Sequence, residues 1–181
     1  MVKNSTEAVF WTAVDTTPAQ YPWLSEDVEC GVAVIGGGVT AALCALRFAK
    51  AGIDTVMLGA TPIGFGGTAE ASGMMSIDGE ECLSCLVDKI GADRAMMASG
   101  LMREAIDNIG ALCAEWEDDC GFRRMDTLRY AENRKGAEMI RREFSLRLHN
   151  GIDAELLTAQ NGAEQFTFPI EAGVYSKGAG A

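Results

Sequence analysis

The sequence predicts an α/β protein organised around a βαβ unit, and three observations within residues 29–60 carry that reading. "ECGVAVIG" at 29–36 is a β-branched apolar run, the composition of a strand buried on both faces. Gly36, Gly38 and Ala41 follow at once in a G-x-G-x-x-[G/A] spacing, opening an amphipathic segment over 39–51. "DTVML" then supplies a second apolar run, reached through Gly52, a natural C′ residue for the helix before it.

The remaining elements follow in chain order. Residues 1–29 are polar and proline-bearing and read as an extended arm, with Trp11, Tyr21 and Trp23 expected to pin it by burying their rings. Within 39–51, Ala42, Leu43, Leu46 and Ala49 recur at helical spacing. From 60 to 78 the chain is rich in Gly, Ala, Ser and Thr, a loop whose backbone can approach a ligand closely. Helical patterns return over 79–90 and 92–116. In the latter, Met97, Leu101, Ala105, Ile109, Leu112 and Trp116 form the expected inward stripe. "TLRYA" around Leu128 reads as a short strand. Asn133 is then the N-cap of a helix turning Ala137, Ile140, Phe144 and Leu148 inward and closing at Gly151. "AELLTA" and "AGVYS" are weaker strands or turns, and the final "SKGAGA" reads as a cut rather than a completed unit. The segments expected are an arm at 1–29, the βαβ region with its helices at 30–120, and the start of an α+β region at 121–181.

The glycine pattern has a physical use. Gly36 permits the tight strand-to-helix turn, Gly37 continues it, and Gly38 omits the Cβ that would block a pyrophosphate. Ala41 lets the helix sit close on the sheet. The first-turn amides of Val39 and Thr40 then face the phosphates together with the positive end of the helix dipole. Gly59 stands at the end of the second strand, where such units ordinarily carry a carboxylate for the ribose. Asp54 lies at the opposite end of that strand and cannot replace it. Loss of that charge-assisted contact costs about 1.5–3 kcal/mol, or one to two decades in affinity.

Bulk properties exclude several classes. With 15 basic against 26 acidic side chains the net charge is −11, which disfavours nucleic acid and anionic membranes as partners. The chain has no secretory leader pattern and no apolar run long enough to span a bilayer. Its six cysteines suit reduced thiols, so a cytoplasmic location is expected.

"YPWLSEDVECGVAVIGGGVTAALCALRFAKAG", followed by "IGFGGTAEASGMMSIDG", resembles the N-terminal part of the FAD-dependent oxidoreductases of the D-amino-acid oxidase and glycine/sarcosine oxidase type. "CGFRRMDTLRYAEN" is similar to that family's first substrate-domain strand. The resemblance implies a GR2-like, Rossmann-type FAD-binding domain, incomplete here, with the start of a substrate domain. It implies that Gly67, Thr68 and Ala69 meet phosphate or ribityl oxygens, with Ser72, Gly73 and Met74 nearer the isoalloxazine ring. The implied reaction is oxidation of a C–N bond of an amino acid or amine by hydride transfer to flavin. Family members are about twice as long, so this chain alone is expected to be inactive, with FAD weak or absent. Two alternatives stay open: a degenerate Rossmann-type module without cofactor, and an NADP-binding domain, for which "GATP" offers no basic residue. A missing half would also leave apolar surface and favour self-association.

Other chemistry-bearing residues receive plainer readings. His149, the only histidine, sits near a helix C-terminus, where a cation is favourable. Cys82-x-x-Cys85 has no second cysteine or histidine pair and reads as two small buried residues. Most of the nine methionines read as core filler, Met74 and Met75 excepted because their loop is expected to approach the ring, and "RKGAEMIRREFSLR" is a solvated basic helix face.

Overall fold

A computed structural model describes residues 10–11, 21–79 and 81–181 of the 181-residue chain. The described chain packs as two compact units, Met1–Ser72 and Gly73–Ala181.

The first unit is the expected βαβ. Strand β1 (Val32–Ile35) pairs in parallel with β2 (Thr55–Leu58), Val32 opposite Thr55 and Ile35 opposite Leu58. Helix α1 (Val39–Lys50) connects them. It closes as the sequence predicts: Gly52 has φ +76°, its N–H bonds Ala49 O, and the Ile53 N–H reaches back to Phe48 O. Burial differs from expectation. Ile35 is 77% exposed, β2 is only half-buried, and no α1 residue is fully buried. The apolar sequence prepares both strand faces for cover, while the described residues pair β1 only with β2. Of the three arm aromatics, Trp23 is 89% exposed and Tyr21 is also exposed, so neither ring is buried. Trp11 is tied instead by a polar bond, its Nε1–H donating to Ala71 O at 2.6 Å. Much of the arm lies outside the described residues.

In the second unit, α2 (Leu83–Ile90) and α3 (Ala92–Glu115) precede strand β3 (Arg124–Ala131) and helix α4 (Arg134–His149). Strand β4 (Ala154–Thr158), helix α5 (Ala159–Gln165) and strand β5 (Ala172–Gly180) complete it. The sheet is antiparallel in the order β3-β5-β4. Within "SKGAGA", Ser176–Gly180 is the second half of the central strand, and Met75 bridges to Gly180. The helices α2 and α3 share this unit's core with the sheet, through Leu83, Ala95, Ile106 and Ala179. The chain divides into its two units at Ser72/Gly73.

Two helices present a different face from the one their apolar periodicity selects. In α3 the buried residues are Ala95, Ser99, Ile106 and Cys113, whereas Met97, Leu101 and Trp116 are exposed. Small side chains face inward because they let the helix come close: at Gly110 an added Cβ would lie 3.0 Å from the Phe122 ring. In α4, Asn133 caps the helix through Oδ1, which accepts the Gly136 N–H at 2.9 Å, and Ala137 and Ile140 are buried as expected. The stripe then continues through Glu143 and Arg147, while Leu148 is exposed.

That continuation corrects the reading of α4 as a solvated basic face at Arg147; Arg134, Lys135, Arg141 and Arg142 are exposed as read. Glu143 and Arg147 are 0% and 1% exposed. Glu143 accepts the Leu83 and Ser84 N–H groups at 3.1 and 2.8 Å, satisfying the open N-terminus of α2. Arg147 donates to Glu143, to Ser176 Oγ at 2.8 Å and to Asp78 Oδ2 at 2.5 Å. Burial alone would push the Glu143 carboxyl up, but the Ser84 N–H bond and the Arg147 charge outweigh it and hold it below its ordinary value.

Among the described residues no helix is long and apolar enough to cross a membrane, and no cluster of potential metal ligands occurs.

Candidate dinucleotide site

The site belongs to the first unit and begins where β1 ends. The Gly36 N–H closes the ladder by donating to Leu58 O at 2.8 Å, and its φ of +135° swings the chain out of the strand. A Cβ at Gly36 would meet the Ala41 Cβ at 3.5 Å, so turn and helix pack as the motif requires. Gly38 is the N-cap residue of α1, in extended conformation and with no side chain to satisfy the helix amides. The first intrahelical bond is from the Ala42 N–H to Gly38 O at 3.0 Å, leaving the amides of Val39, Thr40 and Ala41 ahead of it.

One of these amides already has a partner. Thr68 Oγ1 accepts the Val39 N–H at 3.0 Å, bringing the small-residue loop onto the helix N-terminus. A Cβ at Gly38 would lie 3.0 Å from that same hydroxyl. Gly36, Gly38, Val39, Thr40, Ala41 and Thr68 line an open cleft of about 360 Å³ that has no acidic side chain in its wall. A helix N-terminus, a missing Cβ and a hydroxyl at one mouth suit an anionic oxygen cluster such as a pyrophosphate.

The other expected residues are placed as follows. Gly37 is not among the residues lining the cleft, and its carbonyl accepts the Gly64 N–H at 2.8 Å. Gly67 is exposed, and a Cβ there would meet nothing within 4 Å. Ala69 is buried and its N–H is taken by Gly66 O at 3.0 Å, so its side chain and amide both serve the loop itself. Ser72 ends the first unit, whereas Gly73 and Met74 open the second, where the Met74 side chain is exposed. Asp54 accepts the Val32 N–H at the far end of the ladder, as expected.

The geometry gives Gly59 a reason that its letter alone does not. A Cβ there would stand 3.0 Å from Thr61 O and 3.6 Å from Gly37 Cα. The 61–64 loop folds back onto the glycine turn through space that a side chain at 59 would need. Gly59→Ala is expected to destabilise the first unit by about 1 kcal/mol, because the loop must shift by a few tenths of an ångström. A lowered urea midpoint would show it, and an unchanged midpoint would mean the loop yields freely.

A parallel βαβ with a glycine turn at the helix N-terminus is the core of a Rossmann-type unit. The family model described as DAO, FAD dependent oxidoreductase, matches residues 31–181, and the chain belongs to that family. A gamma-glutamylputrescine oxidoreductase of Escherichia coli (strain K12) is 31% identical over 114 residues, covering 63% of this chain and 27% of that protein. Glycine oxidase from Bacillus cereus ATCC 14579 superposes with a TM-score of 0.61 at 21% identity, over 84% of this chain and 39% of the other. L-amino acid deaminase from Proteus vulgaris gives 0.69 at 11% identity, over 90% and 36% respectively. At these identities the two solved structures speak to the fold. The chain spans less than a third of the length of the curated relatives it matches first.

Proposed function

We propose that this chain carries the FAD pyrophosphate-binding portion of an oxidoreductase acting on a C–N bond of an amino acid or amine. The observation that carries the reading is the cradle itself: Gly38 without a Cβ, the α1 amides, and Thr68 Oγ1 at 3.0 Å from the Val39 N–H. When bound, the flavin supplies the acceptor for a hydride equivalent from a C–H beside nitrogen. The residues here bind and orient. The helix N-terminus offers Thr40 and Ala41 N–H groups to the phosphates, and the Thr68 hydroxyl can donate its proton to a phosphate oxygen while still accepting from Val39. No carboxylate at 59 receives the ribose hydroxyls, so binding is expected one to two decades weaker than in a site that has one.

A visible spectrum of the purified chain, taken before and after adding excess FAD and desalting, tests this. We expect little flavin as purified and a saturable spectral change on titration. A full-length gene product that stays colourless in excess FAD would overturn the proposal in favour of the cofactor-free module. The exposed Ile35, Val39, Leu101 and Trp116 also favour self-association. In size-exclusion chromatography we expect an apparent mass above the monomer's 19.2 kDa, and a strictly monomeric peak would count against it.

A further inference from the structure

The second unit holds a pair of thiols that the nucleotide-site reading does not use. Cys82 is the N-cap residue of α2, in extended conformation, and its Sγ accepts the Cys85 N–H at 3.4 Å. The two sulfurs are 2.7 Å apart, so closing a covalent S–S bond of ~2.05 Å needs a movement of roughly 0.7 Å. The backbone that carries them is held: Glu143 fixes the Leu83 and Ser84 N–H groups between the two cysteines. Ser84 Oγ lies 3.2 Å from Cys82 Sγ. Cys82 is buried and Cys85 half-buried, so one sulfur is reachable from solvent and the other waits behind it. Burial works against a Cys82 thiolate, but its hydrogen bonds to Cys85 and Ser84 prevail and bring the thiol below its ordinary value. Cys85 is raised, chiefly by that same sulfur–sulfur bond. Placing a C-x-x-C pair at a helix N-terminus is a recognised way to make a dithiol reactive.

We propose that Cys82 and Cys85 form a redox-active dithiol that closes to an intramolecular disulfide by exchange with a small-molecule disulfide. Cys85, whose thiol is the one raised but whose sulfur is the one solvent reaches, gives up its proton to solvent and attacks one sulfur of R–S–S–R, giving a Cys85–S–S–R mixed disulfide and RS⁻, which takes a proton. Cys82, as thiolate, then attacks the Cys85 sulfur, forming the Cys82–Cys85 bond and expelling the second RS⁻, which is likewise protonated. Two protein thiols and one R–S–S–R become one protein disulfide and two RSH. The reading does not depend on flavin binding.

The test equilibrates the full chain with mixtures of oxidised and reduced glutathione, quenches in acid, alkylates, and maps tryptic peptides by mass. Residues 51–89 lie between consecutive trypsin sites and contain Cys82 and Cys85 but no other cysteine. With oxidised glutathione in excess, that peptide is expected to lose both alkyl groups while the other four of the six cysteines stay alkylated. Under the same conditions Cys82→Ser should hold Cys85 as a persistent glutathione adduct. The wild-type map decides the matter whether or not the variant folds. A 51–89 peptide that keeps both alkyl groups at every ratio would overturn the proposal, and so would earlier oxidation of Cys113 and Cys120.

Discussion

Arg147→Met is expected to destabilise the second unit by about 3–5 kcal/mol, because it leaves a buried carboxylate without its counter-charge. Methionine roughly preserves the volume, so the loss is electrostatic rather than a cavity. Two acids and two arginines meet here: Arg147 bonds Glu143 and Asp78, and Arg129 Nε stands 3.6 Å from the same Asp78 oxygen. For a unit of this size the melting temperature should fall by roughly 15–25 °C. The pH dependence distinguishes this cause from simple loss of packing. In the native protein Glu143 titrates below its ordinary 4.5, so its contribution is present above that pH and disappears as pH falls through the lowered value. Without Arg147 one of the charges holding it down is gone and burial weighs more heavily. The variant's deficit should therefore shrink between pH 7 and pH 4. Adding Glu143→Gln should recover part of the loss, since the orphaned charge disappears. A deficit constant with pH, or strictly additive variants, would show that the network is not what holds this unit.

Gly38→Val is expected to weaken FAD binding at least tenfold, about 1.4 kcal/mol or more, while leaving the chain folded. The backbone at Gly38, φ −91° and ψ 176°, is one that a β-branched residue adopts readily. What the position lacks is space: a Cβ falls 3.0 Å from Thr68 Oγ1, and the valine methyls extend into the cleft. Thr68 must swing away, releasing the Val39 N–H, just where the phosphates would sit. Thr68→Val is the milder companion. It removes the hydroxyl but keeps the shape, and should cost about 1 kcal/mol of binding. Flavin-fluorescence titration of the three proteins, with circular dichroism to confirm folding, reads both effects. Equal affinity in Gly38→Val and the parent would move the flavin away from this cleft.

Local signals were legible wherever one residue type answers a backbone demand. Gly52 and Gly151 close α1 and α4 with the expected left-handed residues, and Asn133 caps α4 through its side chain. Such features depend on a few neighbouring residues, so the letters carry them. The faces of the helices were less legible. Periodicity treats charge as solvent-seeking and large apolar residues as core-seeking. In α4 a charged pair lies inward because the α2 N-terminus, Asp78 and Ser176 wait there, contributed by segments up to 69 residues away. In α3 small residues face inward because close approach outweighs side-chain size. The closing glycine-rich run gave no strand signal, since its partners, Arg124–Ala131 and Ala154–Thr158, supply the bonds that make it one.

By itself the sequence determined the βαβ unit: strand, glycine turn, helix and second strand are contiguous, and spacing over some thirty residues specifies them. It also determined that no carboxylate ends the second strand. Only the tertiary structure decided why that position is glycine, because the crowding comes from Thr61 and Gly37 folding against it. It alone brought Thr68 to the helix N-terminus, buried Glu143 and Arg147, and set two cysteine sulfurs 2.7 Å apart at the start of α2. Each depends on distant groups meeting at hydrogen-bond range, and spacing along a chain does not encode that distance.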